Sequence, residues 1–596
     1  MWFLKNKLTQ KLGFIMSEQN KFLLLLISCF AFFFGFEYFF PTKSMTPLHT
    51  DEIKNISNFD HARHESNQII SVDEALKLDN RLVIDTPALQ GSLNLKGCLF
   101  DDLQFKKYTV NPNSKELVRL YTPVRSKDAY FSEINYADSS SPQLGQFHET
   151  PWKVVGENKI LKSDAPVILE SKISSKVSCK RTISVDEQYL FTIEDEITNT
   201  SPDAVNVEFT NSVYRYGKPQ TSGFFVLHEG GVGYVNNKLV EVSYDDIEKK
   251  KNISYSPGKG WIGFTDKYWL SAFIPNGEIP LQSGYDYQDK SQTFRSYSKS
   301  APITVASKST HVIKHHLFSG AKVLKMLDGY EESHKFKHFD LAVDFGWFYF
   351  LTKPLFYALD KLNAILGNMG FAILILTVFF KILSFPLANK SHRSMARMKQ
   401  LQPKMDKLKE QYGSDHQKYS MELMALYKKE KVNPASGCLP TLIQAPLFFC
   451  LYKVFFVTIE MRHAPFLGWI QDLSAPDPTS FVNLFGLLPF DAPSWLIIGA
   501  WPLFMGVTMI IQQRMGPQST DPTQAKMMMV LPVVFTYMFA SFPSGLVIYW
   551  AWSNVLTILQ QYYISQQKPT AIASRKSSGT NRQQRLEKKS KDSNDG

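Results

Sequence analysis

Apolar and polar residues alternate through a long middle section of the chain. Val205, Val207 and Phe209, for example, are separated by single polar residues, and Gly, Asn and Pro punctuate the short alternating segments. This pattern is typical of half-buried antiparallel strands. Because no long helical pattern separates the segments, residues 81–345 are predicted to form a soluble all-β sandwich domain.

Unbroken apolar runs take over near the N-terminus and in the last third of the chain. A helix needs roughly 20 apolar residues to cross a bilayer. The first run has no small-x-small cleavage site after it and therefore predicts an uncleaved anchor at residues 22–40. The fifth run is the shortest, and a short span thins the bilayer or leans on neighbouring helices. Six spans are predicted from the runs Phe22–Phe40, Met369–Leu387, Cys438–Ile459, Trp495–Ile511, Met527–Phe542 and Ser544–Ile564.

The segments between these runs complete the domain plan. Residues 1–21 form the N-terminus, 41–80 a polar linker and 565–596 a basic tail, while 437–564 hold spans three to six with short loops. Residues 346–368 place leucines at helical spacing after a group of aromatic residues. Such a helix either lies in the membrane interface or packs on the β-domain as an ordinary helix.

Residues 388–436 read as a helical hairpin in which Pro403 bends the first arm. Its methionine-rich stripes either form an adaptable binding surface or bury against each other. The tail either contacts ribosomal RNA or is a solvated topology signal.

The positive charge is concentrated in the hairpin and the tail. The net charge is +11, yet the loop from Glu460 to Ser494 has a single basic residue, Arg462. Since basic loops stay in the cytoplasm, both termini and the hairpin are predicted to be cytoplasmic and the β-domain to be exported.

The composition excludes two classes of protein. Five cysteines rule out a disulfide scaffold, and 20% charged with 14% aromatic residues rule out a mainly disordered chain.

Lys381 lies inside the second predicted span and is the leading candidate for a functional residue. A charge at mid-membrane is unfavourable by about 2.5–3.5 kcal/mol on insertion scales. Either its stem snorkels to the cytoplasmic interface, or it lines a polar cavity with Thr377 one turn away and Gln444 on another span. Ser553, Asn554 and Gln560 are further candidates for this lining, and the five spans from Met369 onward contain no Asp or Glu.

Other candidate sites are weaker. Lys453 is interpreted as interfacial, because it lies close to the outer end of its span and Glu460 follows two turns later. No Walker A, GxSxG or HExxH motif occurs, so no enzyme activity, cofactor or metal is predicted. His334 and His338 have i, i+4 spacing without a third ligand nearby, and Cys98 and Cys179 share the exported domain, where pairing is left open.

Five ordered segments resemble one family. The segment 260–275 is similar to the periplasmic domain of the YidC family of bacterial membrane protein insertases, and 433–446 resembles the start of the family's third span. Further family segments are matched at 462–466 (Arg-His-Ala-Pro-Phe), 472–478 (Asp-Leu-Ser-Ala-Pro-Asp-Pro) and 542–546 (Phe-Pro-Ser-Gly-Leu).

The resemblance implies a five-helix core around a hydrophilic groove and an exported β-supersandwich. The family's central groove residue is usually arginine, whereas Lys381 stands here and offers only a point charge. A groove tyrosine corresponds to Trp550, with Tyr549 adjacent. The implied function is insertion of nascent membrane proteins into the bacterial inner membrane, alone or with a Sec-type translocon, and with the ribosome at the hairpin and tail.

Two rival functions remain open at this stage. A solute transporter needs paired ionisable residues at the midplane and usually internal repeats, and the sequence has neither. A membrane-tethered carbohydrate-binding or carbohydrate-active protein needs a carboxylate pair in a cleft of the β-domain. Deleting that domain separates the rivals, because an insertase should survive most of the deletion.

Overall fold

A computed structural model describes residues 69–138, 150–221, 227–275, 279–346, 348–413, 415–430, 432, 439–488, 493, 497–516 and 522–566. The predicted anchor Phe22–Phe40 and most of the basic tail lie outside these residues. The chain divides into two compact units, which are described separately. The first comprises Met1–Leu376, Ala445–Trp501 and Tyr537–Tyr549, and the second Thr377–Gln444, Pro502–Thr536 and Trp550–Gly596.

Most of the first unit is built from two β-sheets. The sheet of eleven strands has the order β14-β17-β18-β11-β5-β3-β2-β1-β7, with β19 beside β11 and β4 beside β3. Its strands are β1 Arg81–Asp85, β2 Leu89–Asn94, β3 Leu99–Thr109, β4 Leu117–Tyr121, β5 Tyr130–Asp138, β7 Ile160–Leu161, β11 Val205–Tyr216, β14 Asn252–Ser254, β17 Gln282–Gln288, β18 Thr293–Lys299 and β19 Ile303–Val305.

The second sheet has nine strands in the order β13-β12-β15-β16-β20-β10-β9-β8-β6. All its pairings are antiparallel, and in the larger sheet only β1 and β7 run parallel. Its strands are β6 Lys153–Val155, β8 Val167–Lys172, β9 Val177–Val185, β10 Leu190–Asn199, β12 Gly230–Val235, β13 Lys238–Ser243, β15 Gly260–Thr265, β16 Trp269–Pro275 and β20 Thr310–Ala321.

The alternation seen in the sequence is the alternation of burial in these strands. Val205, Val207 and Phe209 of β11 are buried, and β9 buries every second residue. The buried faces of the two sheets meet: the Tyr121 hydroxyl of β4 lies 2.7 Å from Ser319 Oγ of β20. The β-rich domain predicted from the sequence is therefore present.

Buried charges inside this domain are paired with opposite charges. Arg181 of β9 donates from Nε and Nη2 to the two carboxylate oxygens of Asp195 of β10 at 2.7 and 2.9 Å. The Tyr136 hydroxyl of β5 donates to the same carboxylate at 2.7 Å. Burial lowers the pKa of neighbouring His315 to about 4, which keeps it neutral. Cys98 and Cys179 are both buried and free, so the structure contains no disulfide between them.

Eleven α-helices lie in the described residues. The short helices α1 Val72–Ala75, α2 Tyr244–Lys250 and α3 Leu324–His334 belong to the β-rich domain. The remaining helices are α4 Tyr349–Leu366, α5 Met369–Gln400, α6 Gln402–Tyr412, α7 His416–Lys429, α8 Leu439–Val457, α9 Ala500–Met515, α10 Pro522–Phe539 and α11 Ser544–Gln566.

Helix α4 has features of both alternatives that the sequence left open. Its buried face includes Leu355 and Leu359, and Lys353 donates to Asp328 of α3 at 2.8 Å, which ties it to the β-rich domain. Phe350 and Ile365 are nevertheless about 70% exposed, at 69% and 71%. The helix is thus fastened to the β-rich domain along one side and apolar along another, and its interfacial location stays a prediction.

Helix α5 is the one described helix that is both long and apolar enough to cross a membrane. Shorter apolar helical segments are found at Gln444–Val457 and Ala525–Phe539. The fourth predicted run starts at Trp495, but α9 starts at Ala500 because Asp477 Oδ2 accepts the Trp501 N–H at 2.9 Å and caps the helix there. The six-span arrangement remains a prediction.

The hairpin is formed by α6 and α7, and the helix is interrupted between α5 and α6, next to Pro403. Leu401, Met405, Tyr427 and Val432 form one buried cluster, so the two arms do bury apolar stripes against each other. Met421 and Met424 of α7 are left 67% and 50% exposed.

Candidate functional site around Lys381

Lys381 stands in the middle of α5, where it meets polar groups from two other helices of the second unit. Its ammonium donates to Gln444 Oε1 of α8 at 3.2 Å and to Thr557 Oγ1 of α11 at 2.8 Å. The cation therefore joins three helices that are otherwise largely apolar.

The acceptors are themselves held in place. Gln444 Nε2 donates to Ser553 Oγ at 2.7 Å, which turns Oε1 of the same amide towards Lys381. The Thr557 hydroxyl donates to the Ser553 carbonyl at 2.8 Å, which leaves a lone pair of Oγ1 for the ammonium. We call Lys381, Gln444, Ser553 and Thr557 the Lys381 cluster.

The Lys381 cluster holds a cation without an anion. Within the described part of the chain, Lys381 pairs with no carboxylate, and both of its acceptors are neutral. The alternative of simple snorkelling leaves the ammonium beside its own helix, whereas here it reaches acceptors on two neighbouring helices. Lys381 is half-buried, and an ammonium in such a place with neutral partners only is incompletely compensated and remains able to take an anionic ligand.

The other residues predicted for this site fall into different places. Thr377 is buried one turn before Lys381 on α5. Tyr549 is buried on α11, one turn before Ser553. Trp550 is half-buried, and its ring lies 6.0 Å from that of Phe535 of α10. Of the predicted residues, the structure thus brings Lys381 and Gln444 into direct contact, and the roles of the other three stay predictions.

Thr557 is the member of the cluster that sequence reasoning missed. The available signal was the i, i+4 series Ser553, Thr557 and Gln561, which places three polar side chains on one face of α11. Asn554, which was expected in the cavity, points elsewhere: its Nδ2 donates to Thr508 Oγ1 of α9 at 3.1 Å. Gln560 is not part of the cluster, and its buried Nε2 has no hydrogen-bond partner.

The second lysine of the apolar helices, Lys453 of α8, has a different environment. Its ammonium lies 3.0 Å from each carboxylate oxygen of Asp344, in the segment that joins the β-rich domain to α4. Both side chains are largely buried, with 8% and 15% exposed. Lys453 is therefore ion-paired with Asp344, and its interfacial location stays a prediction.

Asp344 is adapted to this pairing. Burial by itself raises the pKa of Asp344, but the Lys453 ammonium and the backbone N–H of His228, which donates to Oδ2 at 3.0 Å, outweigh it and hold the pKa below its ordinary value. Asp344 is thus ionised at neutral pH. Asp344, at the end of the β-rich domain, thus supplies the counter-ion for a lysine of the apolar helix α8 within the first unit.

A shallow cavity of about 280 Å³ lies at the edge of the larger sheet and is the place to look for carbohydrate chemistry. Two of its lining residues are carboxylates, Asp85 and Asp102. Both are ion-paired, Asp85 with Lys106 and Asp102 with Arg119. A glycosidase-type acid and base require two carboxylates available to substrate, and this cavity does not offer them.

Three carboxylates near α4, those of Asp328, Glu331 and Asp340, lie within 4.8 Å of one another. Lys353 Nζ of α4 contacts both Asp328 of α3 and Asp340. These contacts fasten α4 to α3.

Comparison with known proteins gives consistent matches along the chain. A family model described as the YidC periplasmic domain matches residues 81–358, and one described as 60Kd inner membrane protein matches residues 361–571. The membrane protein insertase YidC of Sinorhizobium medicae (strain WSM419) is 47% identical over 509 residues, which are 84% of this chain and 85% of the relative. That of Rickettsia bellii (strain OSU 85-389) is 46% identical over 542 residues, 89% of this chain and 96% of the relative.

Two solved structures are similar at a lower level. A crystal structure of an active YidC insertase with its first transmembrane domain resolved is 17% identical, covers 91% of this chain and 99% of its own, and has a TM-score of 0.35. A putative aldose 1-epimerase from Escherichia coli K12 is 9% identical, covers 41% of this chain and 99% of its own, and has a TM-score of 0.30. Scores of this size add no weight to the matches in sequence.

Proposed function

The chain belongs to the YidC family of membrane protein insertases, and from this premise we propose that the Lys381 cluster receives the polar outer segment of a nascent membrane protein. The family consists of bacterial inner-membrane proteins with a periplasmic domain, which act on nascent membrane proteins in the lipid bilayer. The proposal concerns how this chain performs that insertion.

The observation that carries the proposal is the partnership of Lys381 with neutral acceptors. An entering carboxylate attracts the ammonium more strongly than an amide or a hydroxyl does, because the hydrogen bond is then charge-assisted on both sides. Without a client, Gln444 and Thr557 accept hydrogen bonds from the Lys381 ammonium. When a client carboxylate replaces them as the acceptor, neither side chain is left as an unpaired charge, because both are neutral. The outer segment of a client, which is polar and often acidic, would be bound near Lys381 in a partly dehydrated state.

The apolar segment of the client then moves from the helices into lipid. Burial of Leu, Ile or Phe at the centre of the bilayer is favourable by about 0.3–0.6 kcal/mol per residue, so a full span supplies the driving force without a nucleotide. Thr377, Tyr549 and Trp550 are proposed to line the path of the client. No catalytic residue and no cofactor are needed for this process.

The arrangement in the membrane is part of the proposal. Six spans place both termini, the hairpin and the tail in the cytoplasm and the β-supersandwich in the periplasm, in agreement with the basic loops. The hairpin and the basic tail face the ribosome or the emerging client, and a Sec-type translocon is a further candidate partner. The carbohydrate-related alternative is not favoured, because the family is that of insertases and the carboxylates at the sheet edge are ion-paired.

Reconstitution into liposomes tests the proposed role of Lys381. A single-span client with an acidic outer tail is synthesised in the presence of vesicles that contain the wild type, Lys381→Ala or Lys390→Ala, and protease protection of the tail is scored. Lys390 is an exposed lysine on the same helix and serves as the matched control. We expect protection with the wild type and Lys390→Ala and a strong loss with Lys381→Ala. Equal protection of the tail with all three proteins refutes the role of Lys381. If empty vesicles protect the tail as well as vesicles with the wild type, the protein does not insert this client.

A further inference from the structure

The segment between α8 and α9 exposes an unusual number of large apolar side chains. From residue 463 to 488 the sequence has no Lys or Arg and only two carboxylates, Asp472 and Asp477. Leu487 is 83% exposed, the highest value for any large apolar residue among those described. We call the exposed group the apolar tip; it consists of Phe481, Leu484, Phe485, Leu487 and Leu488.

The two carboxylates of this loop accept hydrogen bonds from other groups of the loop and from the start of α9. We call this hydrogen-bonded part of the loop the frame. Asp477 Oδ1 accepts the indole N–H of Trp469 at 3.0 Å and the backbone N–H of Thr479 at 3.0 Å. Its other oxygen caps α9 at Trp501, and Asp472 accepts the backbone N–H of Ser474 at 2.8 Å. The exposed apolar residues therefore belong to an ordered loop whose polar side chains are satisfied internally.

The frame is attached to the ends of apolar helices on the side of the exported domain. Ser544 at the start of α11 donates its backbone N–H to the Ala475 carbonyl at 2.7 Å, and Gly545 donates to the Leu473 carbonyl at 3.0 Å. The loop also begins where α8 ends and finishes where α9 begins. At the base of the loop, Arg462 Nη2 donates to the Val110 carbonyl of the β-rich domain at 3.1 Å.

The backbone of the tip is folded so that its apolar side chains project. Leu484 and Phe485 have positive φ values of 49° and 58°, a conformation that is uncommon for bulky residues. The turn is closed by hydrogen bonds from Phe485 N–H to the Ser480 carbonyl at 2.7 Å and from Leu488 N–H to the Asn483 carbonyl at 3.0 Å. Leucine and phenylalanine side chains exposed in this way are favourable in an apolar or interfacial surrounding and unfavourable in water.

From these observations we propose that the apolar tip inserts into the leaflet of the bilayer on the exported-domain side and anchors the ends of α8, α9 and α11 at that surface. The occupant of the exposed surface is thus phospholipid. A loop fixed to three membrane-helix ends lies at the boundary of water and lipid, and its lack of Lys and Arg, its inward carboxylates and its outward Leu and Phe fit the lipid side of that boundary. The inference does not depend on the role of Lys381.

Collision measurements with a spin label test the anchor in the full-length protein. The five native cysteines are replaced by alanine, and single cysteines are introduced as Leu487→Cys or Gln471→Cys. Gln471 is an exposed polar residue of the same loop outside the apolar tip and is the matched control. Each labelled protein is reconstituted into vesicles of phosphatidylethanolamine and phosphatidylglycerol, and collisions with dissolved oxygen and with a water-soluble nickel chelate are compared.

We expect the ratio of oxygen to nickel collisions to be severalfold higher at Leu487 than at Gln471, because oxygen concentrates in lipid. Equal ratios with ready access of nickel at both positions would show that the tip is in water and overturn the proposal. Low access of both reagents at Leu487 would show that protein covers the tip, such as residues 22–40 or a client, and would overturn it as well. Both labelled proteins are first checked for wild-type insertion of a client, since exposed positions should tolerate the change.

Discussion

The two lysines of the apolar helices occupy opposite electrostatic environments. Lys453 at one end of α8 faces both oxygens of Asp344 at 3.0 Å, whereas Lys381 of α5 faces an amide and a hydroxyl. In the exported domain, Arg181 follows the first pattern, with bidentate hydrogen bonds to Asp195. A buried cation with its own carboxylate is fully compensated and stabilises the structure, whereas a half-buried cation with neutral partners is available to an anion, which is the role proposed for Lys381.

The difference also explains why the exported domain matters to the membrane helices. Asp344 lies at the very end of that domain, yet it compensates a lysine of α8. A deletion that removes the β-sheets but keeps Asp344 retains the ion pair, and a deletion that extends through Asp344 removes the carboxylate that Lys453 contacts. The five experiments that follow test the contrast between Lys453 and Lys381, from the largest expected effect to the smallest.

Breaking the Lys453–Asp344 pair should have the largest effect on stability. Asp344→Asn leaves a largely buried ammonium without its anion, and such changes typically destabilise by about 3–5 kcal/mol. We expect a lower midpoint in thermal unfolding of the detergent-solubilised protein and partial recovery in the double variant Lys453→Met/Asp344→Asn. The matched control is Asp360→Asn, because Asp360 pairs with the exposed Lys325, and a change of less than about 1 kcal/mol is expected.

The pH dependence gives an independent check on the same pair. Because the folded-state pKa of Asp344 is below its ordinary value, the stabilisation is present at neutral pH and is lost as the pH falls through the folded pKa. The wild type and Asp344→Asn should therefore differ at neutral pH and converge in acid below the ordinary pKa of aspartate, about 4. A constant difference across this range would show that the ionised carboxylate is not what stabilises the protein.

Removing Lys381 should affect insertion and leave stability nearly unchanged. If the site attracts client carboxylates, the loss of insertion in Lys381→Met depends on the charge of the client. We expect about a tenfold decrease for a client with an acidic outer tail, which corresponds to about 1.4 kcal/mol, and little decrease when the tail carries Asn and Gln instead. Protease protection of both clients measures the effect. An equal decrease for both clients contradicts recognition of carboxylates at Lys381.

The sequence predicts those parts of the two lysine sites that depend on residues close together in the chain, and it does not predict the contacts between residues far apart in the chain. The alternation of Val205, Val207 and Phe209 and the apolar run around Lys381 are local patterns, and the strands and helices follow from them. Gln444 was found because a glutamine in an apolar run is conspicuous. Thr557 was less conspicuous, although it belongs to the polar i, i+4 series of α11, because a threonine in a helix usually satisfies its hydroxyl with the carbonyl four residues earlier, as it does here with Ser553.

Other features depend on tertiary contacts that no local pattern encodes. Asp344 and Lys453 are separated by 109 residues, so no pattern near Lys453 in the sequence points to its partner. The start of α9 is set by a carboxylate 24 residues upstream, Asp477. Asn554 follows Ser553 by a single residue, but one helical position is a rotation of about 100°, so its side chain meets α9 and not Lys381.

The substitution Gln444→Glu gives Lys381 a carboxylate partner, as Lys453 has in Asp344. In Gln444→Glu a carboxylate replaces the neutral acceptor 3.2 Å from the ammonium, and the Ser553 hydroxyl is able to donate to the new oxygen. We expect unchanged or slightly higher thermal stability together with a severalfold decrease in insertion of the acidic client. Gln444→Met, which is similar in size and uncharged, is the control and should insert better than Gln444→Glu. The reverse order would show that the amide itself, and not the free charge of Lys381, is required.

The smallest effect is expected from Lys381→Arg, which keeps the charge and changes its geometry. A guanidinium is able to bind a carboxylate through two parallel hydrogen bonds, while it also has more donors to satisfy than Gln444 and Thr557 provide. These effects oppose each other, so insertion of the acidic client should stay within about threefold of the wild type, a difference below 1 kcal/mol. Initial rates of protease protection resolve such a change when the two proteins are reconstituted at equal density. If Lys381→Arg lost as much insertion as Lys381→Met, the site would depend on the shape of the lysine side chain, because the wild type and Lys381→Arg carry the same positive charge.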